Sequence, residues 1–161
     1  MHRHSVFSIA AIATIVAAAA CNPFHKNANE ITVQDIPVGE RWNATLATPS
    51  GLQGAVQVHG TGYLARDPGG SKAVIHVSNA TPGGVHPWSI RTGLCGNNDN
   101  PVFGDASAYP NLKVDKDGTA QTSANLSAPF PTSGDYSLEV RASPTNVGTV
   151  IACGNLAPPT Q

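Results

Sequence analysis

Charged residues, aromatic side chains and methionine are all scarce in this 161-residue sequence. Charged residues make up 12%, aromatic residues 6%, and there is a single methionine. The formal net charge is −1, so no strong electrostatic field attracts nucleic acid. The 16 glycines and 13 prolines favour short strands joined by turns over a helical bundle. The composition predicts an all-β protein that does not bind nucleic acid, and no segment has a convincing helical pattern.

The sequence also lacks the short motifs that mark common enzyme classes. It contains no G-x-S-x-G, H-E-x-x-H, G-x-x-x-x-G-K-[ST] or G-x-G-x-x-G, and no pair of carboxylates can be placed as in a glycosidase. These absences disfavour serine hydrolases, zinc proteases, nucleotide-binding enzymes and glycosidases. No residue is predicted to be catalytic on this evidence.

Residues 1–20 predict a signal peptide. Arg3 supplies a positive charge, and the apolar run Val6–Ala20 is too short to span a bilayer comfortably. The run ends in Ala18–Cys21, which resembles the lipobox of bacterial lipoproteins and implies lipidation of Cys21 and anchoring in a membrane. An ordinary A-x-A cleavage site is the alternative. Asn22 is not the aspartate that usually retains such proteins in the inner membrane, which implies an outer-membrane location facing the periplasm.

Three cysteines leave one unpaired in an exported chain, unless Cys21 carries the lipid. Cys95 and Cys153 then remain to form an intramolecular disulfide in an oxidising compartment. Such a bond closes a long loop and is worth about 4 kcal/mol in the chain-entropy model. The alternative is a pair of buried free thiols.

The mature chain divides into a polar tether, a single domain and a short tail. Residues 21–40 are predicted as the tether, 41–156 as the folded domain, and 157–161 as a frayed C-terminal tail. Gly96–Pro110 is predicted as the one long loop, and Lys116–Gly118 as the turn of a hairpin. Alternating or apolar β patterns predict eight strands, at Arg41–Thr48, Ala55–Ala65, Lys72–Asn79, Val85–Thr92, Leu112–Val114, Thr119–Leu126, Asp135–Ala142 and Thr149–Ala152.

Alternation along two of these strands assigns side chains to opposite faces of the sheet. Trp88, Ile90, Leu138 and Val140 are predicted to point into the core, and Trp42 is also expected there. The other face receives a set of polar side chains, which we expect to point outward: Ser89, Arg91, Glu139 and Arg141.

Three separated motifs resemble the copper,zinc superoxide dismutase family. Gly84–Arg91, followed by Cys95, is similar to the family signature G-x-H-G-F-H-V-H and its nearby cysteine. Val150–Leu156 resembles the C-terminal L-A-C-G-V-I-G, and Leu112–Ala120 resembles the hairpin around D-x-D-G-x-A. The resemblance covers roughly residues 41–156. It implies an eight-stranded Greek-key β-barrel or sandwich and a disulfide between Cys95 and Cys153.

The metal ligands of that family are missing from the matching positions. Ser89 and Arg91 stand where the signature has two copper-binding histidines, and Arg141 stands where a third copper ligand lies. The loop Gly96–Pro110, which in the family carries the zinc ligands, contains no histidine. An arginine is always protonated and cannot replace an imidazole as a ligand. No cofactor is therefore expected, and the protein is more consistent with a non-enzyme.

Two interpretations of the remaining polar residues stay open. Arg91 and Arg141 either form an ion-pair patch with Glu139 or, with Ser89, a small site for an anion or carboxylate. His86 is expected to be structural, bonding the backbone at a turn.

The chain is thus predicted to be a binding or structural module of the cell envelope, with an unidentified protein or small anionic ligand as partner and a homodimer compatible with the family. The alternative is a divergent copper and zinc protein, with superoxide dismutase activity or a copper-handling role, whose metal site uses His59, His76 and His86.

Overall fold

The computed structural model describes residues 40–52 and 57–159. The predicted signal peptide, the lipidation site at Cys21 and nearly all of the tether lie outside the described residues, as do residues 160–161 of the tail. Within the described residues, no helix has the length and apolar character needed to cross a bilayer.

The part of the chain that the structure describes is all-β, as predicted, with nine strand segments and two single turns of 3-10 helix. The helical turns are Ser50–Leu52 and Ala106–Ala108. The strands are β1 (Arg41–Ala47), β2 (His59–Asp67), β3 (Gly70–Ser78), β4 (Val85–His86), β5 (Trp88–Thr92), β6 (Leu112–Lys113), β7 (Ala120–Leu126), β8 (Tyr136–Ser143) and β9 (Asn146–Asn155).

The nine segments correspond to the eight predicted strands, one of them divided. The predicted strand Val85–Thr92 is interrupted at Pro87, because proline has no N–H to donate to a sheet. The Pro87 carbonyl still accepts a hydrogen bond from Arg141 N at 2.8 Å. The interruption lets β4 pair with β6 while β5 pairs with β8.

Seven strands form one antiparallel sheet in the order β5-β8-β9-β1-β2-β3-β7, and β4 and β6 form a second, two-stranded sheet. The small sheet contacts β8 through β4 and β7 through β6, so it bridges the two ends of the curled large sheet. Strands distant in sequence are neighbours, including β1 with β9 and β3 with β7. The architecture is therefore a closed β-barrel or sandwich.

The core lies inside this curled sheet, and the side chains predicted to point inward do so. Trp88, Ile90, Leu138 and Val140 are all at most 3% exposed. Trp42 is 2% exposed, and both indole N–H groups find backbone acceptors, Pro131 O for Trp42 and Pro110 O for Trp88. Satisfying these donors allows two large polar-tipped rings to be buried. The tryptophans are core residues, as predicted.

Two predictions, a hairpin and the start of the C-terminal tail, are wrong. The turn Lys116–Gly118 is closed by a hydrogen bond from Asp115 N to Thr119 O, but it joins no hairpin, because β6 pairs with β4 and β7 with β3. The tail does not begin at Ala157, which exchanges two backbone hydrogen bonds with Asn43 of β1. β2 begins at His59 in the described residues, and the predicted strand start at Ala55 lies outside them.

Candidate functional site: a buried ion cluster on strands β5 and β8

The residues that the sequence resemblance aligns with copper ligands, Ser89, Arg91 and Arg141, lie on two paired strands. In the antiparallel register of β5 and β8, Ser89 faces Glu139 and Arg91 faces Ser137. Because side chains alternate along a strand, these residues and Arg141 lie on the side of the sheet opposite Ile90 and Leu138. The sequence prediction of a shared face is confirmed.

This face is buried, and the prediction of an exposed outward patch is wrong. Glu139 is 1% exposed, Arg141 5% and Ser89 8%, while the side chain of Arg91 is 19% exposed. Glu139 Oε2 accepts a hydrogen bond from Arg141 Nη2 and lies 3.1 Å from Arg91 Nε. One carboxylate oxygen therefore serves two guanidinium groups. Arg91, Glu139 and Arg141 are called the ion cluster below.

Backbone carbonyls from two other segments accept hydrogen bonds from the two arginines of the cluster. Arg141 Nη1 donates to Val147 O at 3.1 Å, at the start of β9, and Arg91 Nη1 donates to Asn100 O in the long loop. Residues after Asn100 then run beside β5: Thr92 N donates to Pro101 O at 3.0 Å and Phe103 N to Ile90 O at 2.8 Å. These bonds pair the loop with the edge of β5, through an antiparallel bridge between Arg91 and Val102, and they hold the Asn100 carbonyl against the Arg91 side chain.

The predicted disulfide between Cys95 and Cys153 is confirmed, with a sequence separation of 58, and it fixes this loop to β9. Cys153 lies opposite Glu139 in the β8–β9 ladder, so the bond lies beside the ion cluster. Cys95 N donates to Asn155 Oδ1 at 2.8 Å, and Asn100 Nδ2 donates to Leu94 O at 2.9 Å. The start of the loop is therefore held by one covalent bond and two hydrogen bonds.

The ion cluster carries one negative and two positive charges. Burial lowers the pKa of the Arg91 guanidinium, and the nearby Arg141 lowers it further, while Glu139 opposes both effects. An arginine has so high an intrinsic pKa that it stays charged at neutral pH. The cluster therefore favours the ion-pair interpretation of these residues. Binding of an anion stays a prediction, and it would involve the partly exposed edge of Arg91.

The donor set at these positions does not fit copper or zinc. Both metals take imidazole, thiolate or carboxylate ligands, whereas here two of the three positions hold guanidinium groups that are permanently protonated. The only carboxylate in the cluster is already shared between those two cations. Across the described residues, no three His, Cys, Asp or Glu side chains are grouped so that they could hold a metal ion.

The three histidines of the alternative metal site do not come together. His86 on β4 is 8% exposed, and its Nδ1 lies 2.8 Å from Ala142 O and 3.2 Å from Arg141 O. It is a structural histidine that bonds the backbone, as predicted. His59 and His76 lie on the paired strands β2 and β3, as the sequence suggested, and His86 does not join them.

The sequence reasoning missed the groups that surround the ion cluster. The Asn100 and Val147 carbonyls are backbone acceptors distant in sequence from the arginines they bind, and no side-chain pattern marks them. Glu139 was placed near the arginines, but nothing in the alternation of β8 indicates that it is buried. The one feature of the sequence that points to an ion cluster is that a carboxylate, Glu139, is predicted on the same face as Arg91 and Arg141.

No protein-family model matches the chain, and no curated protein sequence matches it. Among solved structures, it is similar to the Cu/Zn superoxide dismutase from Brucella abortus with a TM-score of 0.48. The alignment has 16% sequence identity and covers 71% of this chain and 98% of the other. The likeness is distant.

Proposed function

We propose that this protein is a non-catalytic domain with a superoxide dismutase-like fold, exported and lipid-anchored, that serves as a binding or structural module of the cell envelope. Two features of the chain support this role. One is the chemistry of the positions that match copper ligands. The other is the N-terminal sequence, which ends in a lipobox-like Ala18–Cys21.

The ion cluster is the observation that carries the non-catalytic part of this proposal. A redox enzyme of this family needs a metal held by neutral imidazoles, and here the matching face holds Ser89 and two arginines neutralised in part by Glu139. Opening this cluster to admit a metal would leave buried charges without partners, which costs several kcal/mol. The same residues serve well as a packed polar contact between β5, β8, β9 and the long loop.

A cell-envelope location fits the chemistry of the two remaining cysteines. A disulfide persists in an oxidising compartment such as the bacterial periplasm and is rare in the cytosol. Lipidation of Cys21 would anchor the domain, with residues 22–40 as the tether between the lipid and β1. The partner would be a protein or a small anionic ligand, met at the outer-membrane surface that faces the periplasm.

Metal loading followed by a dismutation assay tests the catalytic half of the proposal. The purified full chain is incubated with copper and zinc, treated with a chelator to remove weakly held ions, and assayed beside an active copper,zinc superoxide dismutase. We expect the rate of superoxide decay to equal that of buffer. A metal-dependent rate that survives the chelator would overturn the proposal.

Metabolic labelling tests the anchoring half. The full-length gene is expressed in a bacterium supplied with a fatty-acid analogue, and the label and membrane fraction are compared between the native chain and Cys21→Ala. We expect the label and membrane association to depend on Cys21, because the other two cysteines are joined to each other. Equal labelling of both chains, or labelling of neither, would contradict lipidation.

A further inference from the structure

The outer face of strands β2 and β3 carries two histidines in a cross-strand arrangement. His59 pairs with Ser78, and His76 pairs with Thr61, so the two histidines are diagonal neighbours on one face of the antiparallel ladder. Diagonal positions of this kind lie about 7–8 Å apart between Cα atoms, and side chains with aromatic rings reach across that distance. His59 and His76 are called the histidine pair below.

The histidine pair is accessible to ions. His59 is exposed and His76 is partly exposed. His76 also lines an open recess of about 620 Å³ together with Thr61, Asn43 and Arg41. The Arg41 guanidinium in this recess lies over the Tyr63 ring, 4.8 Å from its centroid. An ion approaching from solvent therefore reaches both side chains.

The residues paired directly with the two histidines on the adjacent strands are uncharged. Ala47 and Ser78 flank His59 on the two adjacent strands, and Thr61 and Gln121 flank His76. None of these four side chains carries a positive charge that would repel a metal ion. In the ion cluster, by contrast, two arginines repel a metal ion.

We infer that the histidine pair is a surface site for a divalent transition-metal ion, in which two imidazoles chelate Cu²⁺, Ni²⁺ or Zn²⁺ and water completes the coordination. Imidazole is a preferred ligand for these three ions. Two ligands from adjacent rigid strands bind together more tightly than either does alone, because the second is already held near the ion. In the sheet order, β9 and β1 lie between β8 and β2, so this site is separate from the ion cluster.

A titration of the full chain with Cu²⁺ tests this inference residue by residue. A paramagnetic ion broadens the NMR signals of nearby nuclei, so sub-stoichiometric Cu²⁺ should broaden the amide signals of His59, Thr61, His76 and Ser78 together. His59→Gln and His76→Gln should each abolish this local broadening and weaken binding at the site at least tenfold. The double variant should be no weaker than either single variant by more than twofold, because chelation is already lost.

His25→Gln is the matched control, since it removes an imidazole outside the pair, and it should leave the broadening on β2 and β3 unchanged. Well-dispersed amide spectra without metal establish that each variant is folded. The inference is wrong if stoichiometric Cu²⁺ leaves these four signals sharp, or if broadening persists when either histidine is replaced. It is also wrong if the two single effects add, since independent imidazoles would bind separate ions.

Discussion

The outer faces of β5–β8 and β2–β3 obey the same alternation rule and end in opposite environments. On β5–β8 the polar side chains Ser89, Glu139 and Arg141 are buried, and Arg141 donates hydrogen bonds to Glu139 and to the Val147 carbonyl. On β2–β3 the polar side chains include an exposed His59 and a partly exposed His76. The difference arises where other segments contact the β5–β8 face: the loop after β5 binds Arg91 through the Asn100 carbonyl, and β9 binds Arg141 through the Val147 carbonyl. Alternation therefore determines which face of the sheet a residue occupies, and contacts with distant parts of the chain determine whether that face is exposed to solvent.

Removing the disulfide should have the largest effect on the β5–β8 face, because the bond anchors the loop that contacts the ion cluster. Cys95→Ala combined with Cys153→Ala should lower the free energy of unfolding by about 4 kcal/mol, as expected for a loop of this length. Urea denaturation measures the change. A reductant should destabilise the native chain and leave the double variant unaffected; a loss below about 1 kcal/mol would show that the loop is held by other contacts.

Glu139→Gln should reveal how much the buried charges depend on their shared counterion. Arg91 and Arg141 would remain close together without a carboxylate, and an unpaired buried charge is costly, so we expect a loss of about 3 kcal/mol in urea denaturation. Glu40→Gln is the matched control at an exposed position and should change stability by less than about 0.5 kcal/mol. Equal effects of the two substitutions would mean that the cluster contributes nothing to stability.

The two arginines of the cluster should differ in how much each contributes to the free energy of unfolding. Arg141→Gln should cost about 2 kcal/mol, because it removes a buried partner of Glu139 and leaves Val147 O without its donor. Arg91→Gln should cost about 1 kcal/mol, since its side chain is partly exposed and water replaces some of the lost interaction. Thermal or urea unfolding of both variants gives the ranking, and the reverse order would contradict the burial argument.

On the other face, His59→Thr should change the free energy of unfolding by less than about 0.5 kcal/mol, as for most exposed substitutions. Threonine also suits a strand. Urea denaturation in the presence of a chelator measures this without any bound metal. A loss comparable with that of Glu139→Gln would show that this face is packed in the same way as the β5–β8 face.

The smallest effect concerns Asp105 in the loop that continues from the covering segment. Hydrogen bonds from Ser107, chiefly from its backbone N, lower the pKa of the Asp105 carboxyl below the ordinary 3.8. Because the pKa is lower when the chain is folded, the carboxylate stabilises the fold above about pH 4, and this is lost as the pH falls through the folded pKa. An NMR titration should give a midpoint below 3.8, and the urea-unfolded chain provides the reference. Identical midpoints would contradict the capping contact.

Local pattern was sufficient for the parts of the structure that depend on local rules. The alternation of β5 and β8 predicted that Trp88 and Leu138 are in the core, and the strand positions follow from β-forming runs between turn residues. Pro87 is visible in the sequence, yet the local pattern of residues 85–92 predicts a single strand through it. A break there depends on whether the two halves find different partners, and their partners β6 and β8 are distant in sequence.

The candidate site was predictable in membership and not in environment. Ser89, Arg91 and Arg141 were placed on one face by period-two alternation, with Glu139 near them, and this is correct. Their burial depends on Asn100 and Val147, which arrive from the loop and from β9, and no local pattern reports such contacts. The prediction that Ala157 belongs to a frayed tail is wrong for the same reason, because its partner Asn43 is more than a hundred residues away in the sequence.

The pairing of β1 with β9 has a consequence for how the chain acquires its fold. The first strand has β2 beside it early, but among the described residues its other edge pairs with the last strand and with Ala157 two residues beyond it, through Ala47 with Cys153 and Asn43 with Ala157. Contacts between segments so far apart in sequence form slowly. Biosynthesis delivers the last strand at the end, so the barrel stays open until then, and a growing chain presents the unsatisfied edge of β1 throughout.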